Sequence, residues 1–419
     1  MRRTAIFAAV AGFAMVQTAA ALAPERSPRP EFRTLTAIQA NVSAAASNRA
    51  FERWIDGFRR RALSQGIRPQ VFDAAFRGVR YQTDVIQRDR NQAEFTKQIW
   101  EYLESAVSDT RVRNGKAALR EHRRVLSEIE ARYGVEAEVV VAVWGLESAY
   151  GTFRGDTPVI PALATLAFDG RRGRFFEEQL IAALQILQSG DVSPRAMTGS
   201  WAGAMGHTQF IPTSYLAYAQ DFRGDGQRDI WSDDPTDALA STAAYLARFG
   251  WTKGQPWGLE VRLPRGFDYA QSGDRVKRSV AQWMQAGVRD MDGGLIPDHG
   301  QASILLPAGA QGAAFMIFDN FGVIERYNAA DAYVIGVGHL SDRIAGGSPI
   351  RSNWPEGDRS LRFSERQEMQ RRLTRAGFDT SGVDGIIGPN TIAAIRAFQK
   401  SVGMTPDGYA SYEILRRLR

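Results

Sequence analysis

Glu147 is the residue best placed, by type and surroundings, to do acid–base chemistry. It stands near the end of Glu136–Tyr150 (EAEVVVAVWGLESAY), a stretch that reads as a buried helix with Gly151 at a C-cap position. It follows Val143 by four residues and Val140 by seven, so one helix face carries all three. A carboxylate on an apolar face is desolvated, and its pKa rises from about 4.3 toward neutrality. That suits a general acid at working pH. The structural alternative is a buried glutamate paired with an arginine, or one turned to solvent by the chain end.

Other chemistries are narrowed by what is absent. The chain has no cysteine, which removes thiolate nucleophiles, disulfides, cysteine–zinc sites and a lipidated cysteine anchor. The four histidines, His122, His207, His299 and His339, show no helical ligand spacing, so an HExxH zinc site is excluded. Carboxylates, hydroxyls or a metal held without histidine remain. In Gly203–Tyr215 (GAMGHTQFIPTSY), Gln209 offers a donor and an acceptor of the kind that read a sugar amide or hydroxyl. A glycine-rich turn before a helix explains the same string. In Asp221–Asp229, acids at positions 1 and 5 and glycine at 6 imitate an EF-hand loop, with Asp233, Asp234 and Asp237 beyond. Arg223 stands at position 3 and Ser232 at position 12, where the motif has an oxygen ligand and a glutamate. A solvated polar turn is therefore the expectation, with Asp221, Asp225 and Asp237 as the ligands should calcium bind.

These residues need a scaffold, and the rest of the chain outlines it. A length of 419 residues allows two or three domains. With 44% hydrophobic and 23% charged residues, the chain is globular rather than disordered, collagen-like or a polytopic membrane protein. Arg2 and Arg3, an apolar run over Ala5–Val16 and the small residues Ala19, Ala20, Ala21 and Ala23 form an export signal. The run is shorter than the roughly 20 apolar residues of a membrane span. Residues 1–23 are read as a cleaved signal and 24–50, rich in Pro, Ala, Ser and Arg, as a linker. Without the signal, 50 basic side chains face 46 acidic ones, a net +4 with no basic run longer than Arg59–Arg61. That charge suits an anionic polymer or surface and lacks the concentrated patch of a nucleic-acid binder.

From Phe51 to about Leu246 the apolar spacing is helical, as in Phe51, Trp54, Ile55 and Phe58. Lys116–Tyr133 reads as one long charged helix with Leu119, Leu126 and Ile129 on its apolar stripe. Pro256–Phe318 is punctuated by Gly and Pro and holds short strand-like segments, Leu259–Leu263 and Ser303–Leu306. A helix returns over Ala332–Ile344. Residues 345–361 form a second, flexible linker, and the last 58 residues, from Arg362, a small helical unit. In that unit the string Asp384–Thr391 (DGIIGPNT) makes a turn, Pro389 opens a helix, and Ile392, Ile395 and Phe398 form one face.

Together the strings resemble a known family. Gly145–Gly151 (GLESAYG), GAMGHTQFIPTSY and Arg326-Tyr327-Asn328 followed by Tyr333 are similar, in order and spacing, to the lytic murein transglycosylase B family. DGIIGPNT with Phe398-Gln399 resembles the peptidoglycan-binding domain found at the ends of many wall enzymes. The resemblance implies a mainly α protein. A lysozyme-like catalytic domain over residues 51–344 would carry a small mixed α/β insertion, and a three-helix peptidoglycan-binding domain would occupy 362–419. It implies cleavage of the MurNAc–GlcNAc β-1,4 bond of peptidoglycan without added water and with no cofactor required. Glu147 would be the sole catalytic carboxylate. It would protonate the leaving glycosidic oxygen, then take the proton of the muramoyl C6 hydroxyl as that group closes a 1,6-anhydro ring. The substrate's acetamido group would stand in for the second acid of the two-carboxylate scheme.

By the same resemblance Tyr102, Ser200, Gln209, Tyr245, Tyr327, Asn328 and Tyr333 match cleft positions. Arg171 and Arg172 match a paired-arginine position that faces peptide or lactyl carboxylates. For each tyrosine an ordinary core aromatic is the alternative. The family's calcium loop maps to Asp221–Asp237, here longer between Trp231 and Asp237 and carrying Arg223. The implied partner is the peptidoglycan glycan strand, with no nucleic acid and no stable membrane anchor, and the implied compartment is the periplasm. Two other classes stay open. A lysozyme-type muramidase would need a second acid, such as Asp156, Asp169 or Asp221, placed to activate water. A non-catalytic wall-binding protein would have no need of an acid on an apolar face.

Overall fold

The structure, a computed structural model, describes residues 33–91, 97–355 and 357–419. The signal expected at 1–23 lies outside the described residues. The stretch expected as a linker at 24–50 enters the described part as helix, because Arg33–Ser64 is one continuous element. Residues 33–50 contain no proline or glycine and six alanines, a composition that favours helix over tether. Further along this helix Phe51 and Phe58 are buried, with Trp54 stacked between them.

The catalytic body is a cluster of helices around one apolar core. At its centre runs the helix Ala137–Ser148, in which Val139 to Gly145 are all buried. A helix apolar on every side belongs inside a protein. It is clasped by Asp109–Glu121, Arg123–Tyr133, Thr236–Arg248 and Asp331–Ala345. The long helix expected over Lys116–Tyr133 is instead two helices that meet at His122. The His122 ring packs edge-on against Trp144 of the central helix at 5.3 Å, and the bend serves that contact.

The insertion forms a five-stranded antiparallel sheet in the order Arg278–Ser279, Gln301–Leu305, Ala314–Ile317, Gly258–Arg262, Arg289–Asp290. It has its own core, with Trp283, Val261, Ile304 and Met316 fully enclosed. The C-terminal unit is three helices, Phe363–Arg375, Pro389–Ser401 and Tyr412–Leu418, around Met369, Leu373, Ile395, Ile414 and Leu415.

The segment between body and C-terminal unit, expected to be flexible, is pinned. The amides of Arg351 and Ser352 donate to Glu260 at 2.8 and 2.7 Å, and Trp354 stacks on Trp100 at 6.1 Å. The three-helix unit itself touches the body. Asp407 accepts from the amide of Ala310 at 2.8 Å, and Arg396 donates to Ser272 at 3.0 Å. Among the described residues no helix is long and apolar enough to cross a membrane.

Candidate active site

The central helix stops one residue after Glu147, and the way it stops is unusual. Ala149, Tyr150 and Gly151 all adopt left-handed backbone angles, with φ of 50°, 60° and 81°. For the two non-glycine residues this is strained, and such strain persists only where the surroundings hold it. Here they do. The Tyr150 ring folds back under the helix, and a Cβ at Gly145 would lie 2.6 Å from it. The Tyr150 hydroxyl donates to the carbonyl of Arg111 at 2.7 Å, while the Arg111 guanidinium donates to the carbonyl of Gly145. The expected cap at Gly151 is thus displaced to Ala149. Gly151 is needed for another reason, since a Cβ there would lie 2.5 Å from Nδ1 of His207.

His207 ties the glycine-rich loop to this helix end. Its Nδ1 accepts from Trp144 Nε1 at 3.1 Å, and its carbonyl accepts from the Ser148 hydroxyl at 2.5 Å. With Nδ1 accepting, the ring proton sits on Nε2 and donates to the carbonyl of Ser232 at 2.7 Å. Burial holds the imidazole below its ordinary pKa, in keeping with this neutral form.

Glu147 itself is half-buried by exposed area, but protein atoms ring its carboxyl. That desolvation pushes its pKa up to about 7, and a hydrogen bond from Tyr333 pulls the other way. The Tyr333 hydroxyl donates to Oε1 at 2.6 Å. Tyr333 comes from the helix Asp331–Ala345 that crosses the central helix. Tyr327 stacks on Tyr333 at 6.5 Å and donates to the carbonyl of Thr208 at 2.7 Å. Tyr102 arrives on the helix Ile99–Ala106. Its ring lies against Gly336, where a Cβ would be 3.0 Å away and where Leu146 is also in contact. Burial holds the phenols of Tyr102, Tyr327 and Tyr333 above their ordinary pKa, and the charge of Glu147 adds to the rise in each.

The remaining sequence candidates divide. Tyr245 packs on Tyr327 at 5.1 Å and donates to the carbonyl of Arg326 at 2.7 Å, so its hydroxyl is committed to the wall behind the site. Asn328 is buried and accepts from the amide of Ala330 at 3.1 Å. Ser200 accepts from the amide of Ala204 at 3.1 Å within the glycine-rich turn. Gln209 departs from expectation. Its Nε2 donates to the carbonyls of Arg154 and Gly206 at 3.0 and 2.8 Å, so its donors brace the loop.

The arginine pair is engaged by a carboxylate of the chain itself. Arg171 grips Asp89 through two nitrogens, with Nε at 2.7 Å from Oδ2, and Arg172 lies 3.9 Å from the same carboxylate. Asp89 is buried, so much of the pair's charge answers it before any ligand arrives.

The acids of the candidate calcium loop bond to the loop's own backbone. Asp221 accepts from the amides of Gly224, Asp225 and Gly226, and Asp225 from that of Gln227. Each oxygen of Asp237 accepts one amide, from Phe222 and Asp229, at 2.9 Å. Arg223 turns away to pair with Glu128. Among the described residues no group of three or more acids or histidines converges to hold a metal. The second acids weighed for a hydrolase are engaged or exposed. Asp169 pairs with Arg90 at 2.9 Å, Asp221 is capped as above, and Asp156 is exposed.

Sequence reasoning missed Arg111, Asp89, Tyr150 and the His207 link. Of these His207 and Tyr150 had a signal, their places inside the glycine-rich string and the GLESAYG string.

Known proteins share this fold and its domain order. Residues 50–342 match the transglycosylase SLT domain, and residues 363–418 match a peptidoglycan binding domain. SltB3 from Pseudomonas aeruginosa, solved in complex with NAG-anhNAM-pentapeptide and with NAG-NAM-pentapeptide, is 52% identical with a TM-score of 0.86. That match covers 88% of this chain and 99% of the SltB3 chain. The Escherichia coli lytic transglycosylase Slt35, solved in complex with calcium, is 30% identical with a TM-score of 0.60, covering 71% of this chain and 93% of its own. The membrane-bound lytic murein transglycosylase B of Escherichia coli (strain K12) is 34% identical over 251 residues, which are 58% of this chain and 66% of that protein. The present chain therefore belongs to the transglycosylase SLT family, the lytic transglycosylase family of peptidoglycan-cleaving enzymes, and carries a peptidoglycan-binding domain at its C-terminal end.

Proposed function

We propose that this protein cleaves the β-1,4 bond between N-acetylmuramic acid and N-acetylglucosamine in peptidoglycan, leaving a 1,6-anhydro-muramoyl end, with Glu147 as its single acid and base. One observation carries the reading. The Glu147 pKa, pushed up to about 7, is set by burial and by Tyr333 rather than by a neighbouring carboxylate. A group titrating there holds a proton to give and is basic enough to take one back.

The steps balance without water. Tyr333 occupies Oε1, so Oε2 carries the proton that passes to the glycosidic oxygen as its bond to C1 breaks. The ionised carboxylate then removes the proton of the C6 hydroxyl while that oxygen bonds to C1. Glu147 ends the cycle protonated, as it began. The complexes of SltB3 with NAG-NAM-pentapeptide and NAG-anhNAM-pentapeptide support a peptide-bearing glycan as substrate and an anhydro sugar as product. Tyr102 and the oxygen of Gln209 would contact sugar, Tyr327 and Tyr333 would frame the carboxyl, and Tyr245, Asn328 and Ser200 would support the walls. Arg171 and Arg172, braced on Asp89, would meet peptide or lactyl carboxylates. The first 23 residues would direct export, and the enzyme would act in the periplasm, with the C-terminal domain holding it on the polymer.

Mass spectrometry of soluble products from purified peptidoglycan tests this directly, with Glu147→Gln alongside. Products lighter by one water than hydrolysed muropeptides, absent with the variant, are expected. Reducing-end products would instead establish a muramidase, and binding without products from either protein a wall-binding role.

A further inference from the structure

The C-terminal domain is bonded to the foot of the helix that carries Tyr102. Gln98 is the N-cap residue of Ile99–Ala106. Its Nε2 donates to Asp358 Oδ2 at 3.3 Å, and its Oε1 accepts from the Tyr409 hydroxyl at 3.4 Å. The other oxygen of Asp358 accepts from the amide of Tyr412, in the last helix of the C-terminal domain, at 3.2 Å. Two residues beyond Gln98, Trp100 stacks on Trp354 of the connecting segment. The amide of Tyr102 donates to the carbonyl of Gln98 at 3.0 Å. One helical turn thus joins the docked domain to Tyr102, whose ring meets Leu146, the neighbour of Glu147, at Gly336 on the helix that carries Tyr333. The contacts of Asp407 with Ala310 and of Arg396 with Ser272 seat the same face of the domain on the insertion.

A simple tether requires none of this. Tethering raises local concentration through the length and stiffness of the connecting chain, and needs no fixed contact between the two units. Here the connecting chain is held at Glu260 and at Trp100, and the domain meets the N-cap of a helix in the active-site wall. The docked face also leaves a separate apolar surface open. Phe363 and Ile386 are 47% and 65% exposed, so docking and polymer binding can coexist.

We propose that the peptidoglycan-binding domain, in its docked position, is a positioning element of the active site. Gln98, Trp354, Asp358 and Tyr409 are positioning residues that hold the Ile99–Ala106 helix so that Tyr102 stands beside Glu147. The proposal rests on the transglycosylase reading given above, and its test keeps the two apart.

The test uses the full chain and a soluble NAG-NAM-NAG-NAM tetrasaccharide with pentapeptide stems. Wild-type turnover, and its loss in Glu147→Gln, test the transglycosylase reading by themselves. For the positioning role, Trp354→Ala combined with Tyr409→Phe is expected to lower kcat roughly tenfold while KM changes far less, because displacement of a wall residue acts on the reacting geometry. In a Tyr102→Ala background the same pair is expected to change kcat less than about twofold, since contacting residues are not additive. Trp354→Phe, which keeps a stacking ring, should retain wild-type kcat. An unchanged kcat in the double variant, or an equal loss with and without Tyr102, would overturn the proposal. If Trp354→Ala does not fold, Tyr409→Phe alone, which removes one hydroxyl, carries the same comparison with a smaller loss.

Discussion

Replacing Tyr333 by Phe removes one hydroxyl, the donor to Oε1 of Glu147 at 2.6 Å. That bond favours the ionised carboxyl and holds its pKa below what burial alone would give. Hydrogen bonds to charged groups contribute about 1.5–3 kcal/mol. At about 1.36 kcal/mol per pKa unit, the variant raises the Glu147 pKa by roughly one to two units. The sign follows from the mechanism. The free enzyme must carry the proton, so kcat/KM is high below the pKa and falls as pH rises through it. The wild-type limb should have its midpoint near 7, where the carboxyl titrates, and the variant limb should lie at higher pH. The assay is anhydro-muropeptide release from purified peptidoglycan between pH 5 and about 9, read as kcat/KM for both proteins. A limb that stays in place, or moves down, would show that Tyr333 does not stabilise the ionised carboxyl or that another group governs the profile.

Other outcomes follow from the same geometry. Glu147→Gln should lower kcat by at least about 10²-fold. A raised carboxylate pKa destabilises the fold once the unfolded chain has ionised, above an ordinary value of 4.5, and fully so above about 7. The same variant should therefore gain up to about 3 kcal/mol in denaturant unfolding at pH 8 and little at pH 4; equal stability at both would contradict the burial. Gly145→Ala should lose about 1–3 kcal/mol of stability, because its Cβ meets the Tyr150 ring at 2.6 Å. Unchanged stability would mean that the ring does not lie there. Millimolar calcium should leave the melting temperature unchanged, since the carboxylates of Asp221 and Asp237 already hold backbone amides; a rise of several degrees would show a calcium site.

The sequence makes legible what depends on local period. The apolar face under Glu147, the insertion strands and the helical character of the C-terminal unit follow from spacing, and the bounds shift by only a few residues. What it conceals depends on distant partners. Nothing in Lys116–Tyr133 announces a break, because the cause is the Trp144 ring met by His122. The helix end moves from Gly151 to Ala149 because Tyr150 finds a seat below Gly145, a contact no propensity scale contains. Arg171 finds Asp89, 82 residues away, and Gln209 gives its donors to its own loop. The second linker has the composition of a tether, yet Trp354 on Trp100 and the amides of Arg351 and Ser352 on Glu260 anchor it.

A carboxyl that must serve as acid and then as base cannot stand beside a fixed charge. A cation in contact would keep it ionised, and a second carboxylate would keep it protonated. The surroundings of Glu147 avoid both. Its neighbours are tyrosines, whose phenols burial and Glu147 itself hold above their ordinary pKa and therefore neutral. They supply a hydrogen bond without charge. The nearby cation, Arg111, is turned onto the carbonyl of Gly145 on the back of the helix, where it braces the strained turn instead of fixing the carboxylate. Burial holds the imidazole of His207 below its ordinary pKa, and its Nδ1 accepts the indole N–H of Trp144. Each of these choices places polarity near Glu147 and withholds charge from it, and a pKa near 7 on a single glutamate is the result. A substitution that brought a permanent cation to this wall, such as Tyr327→Lys, should therefore abolish activity even where Glu147 is untouched. It would do so by trapping the carboxyl in its ionised form, and the loss should ease at low pH, where the proton returns. A loss independent of pH would point to a blocked cleft instead.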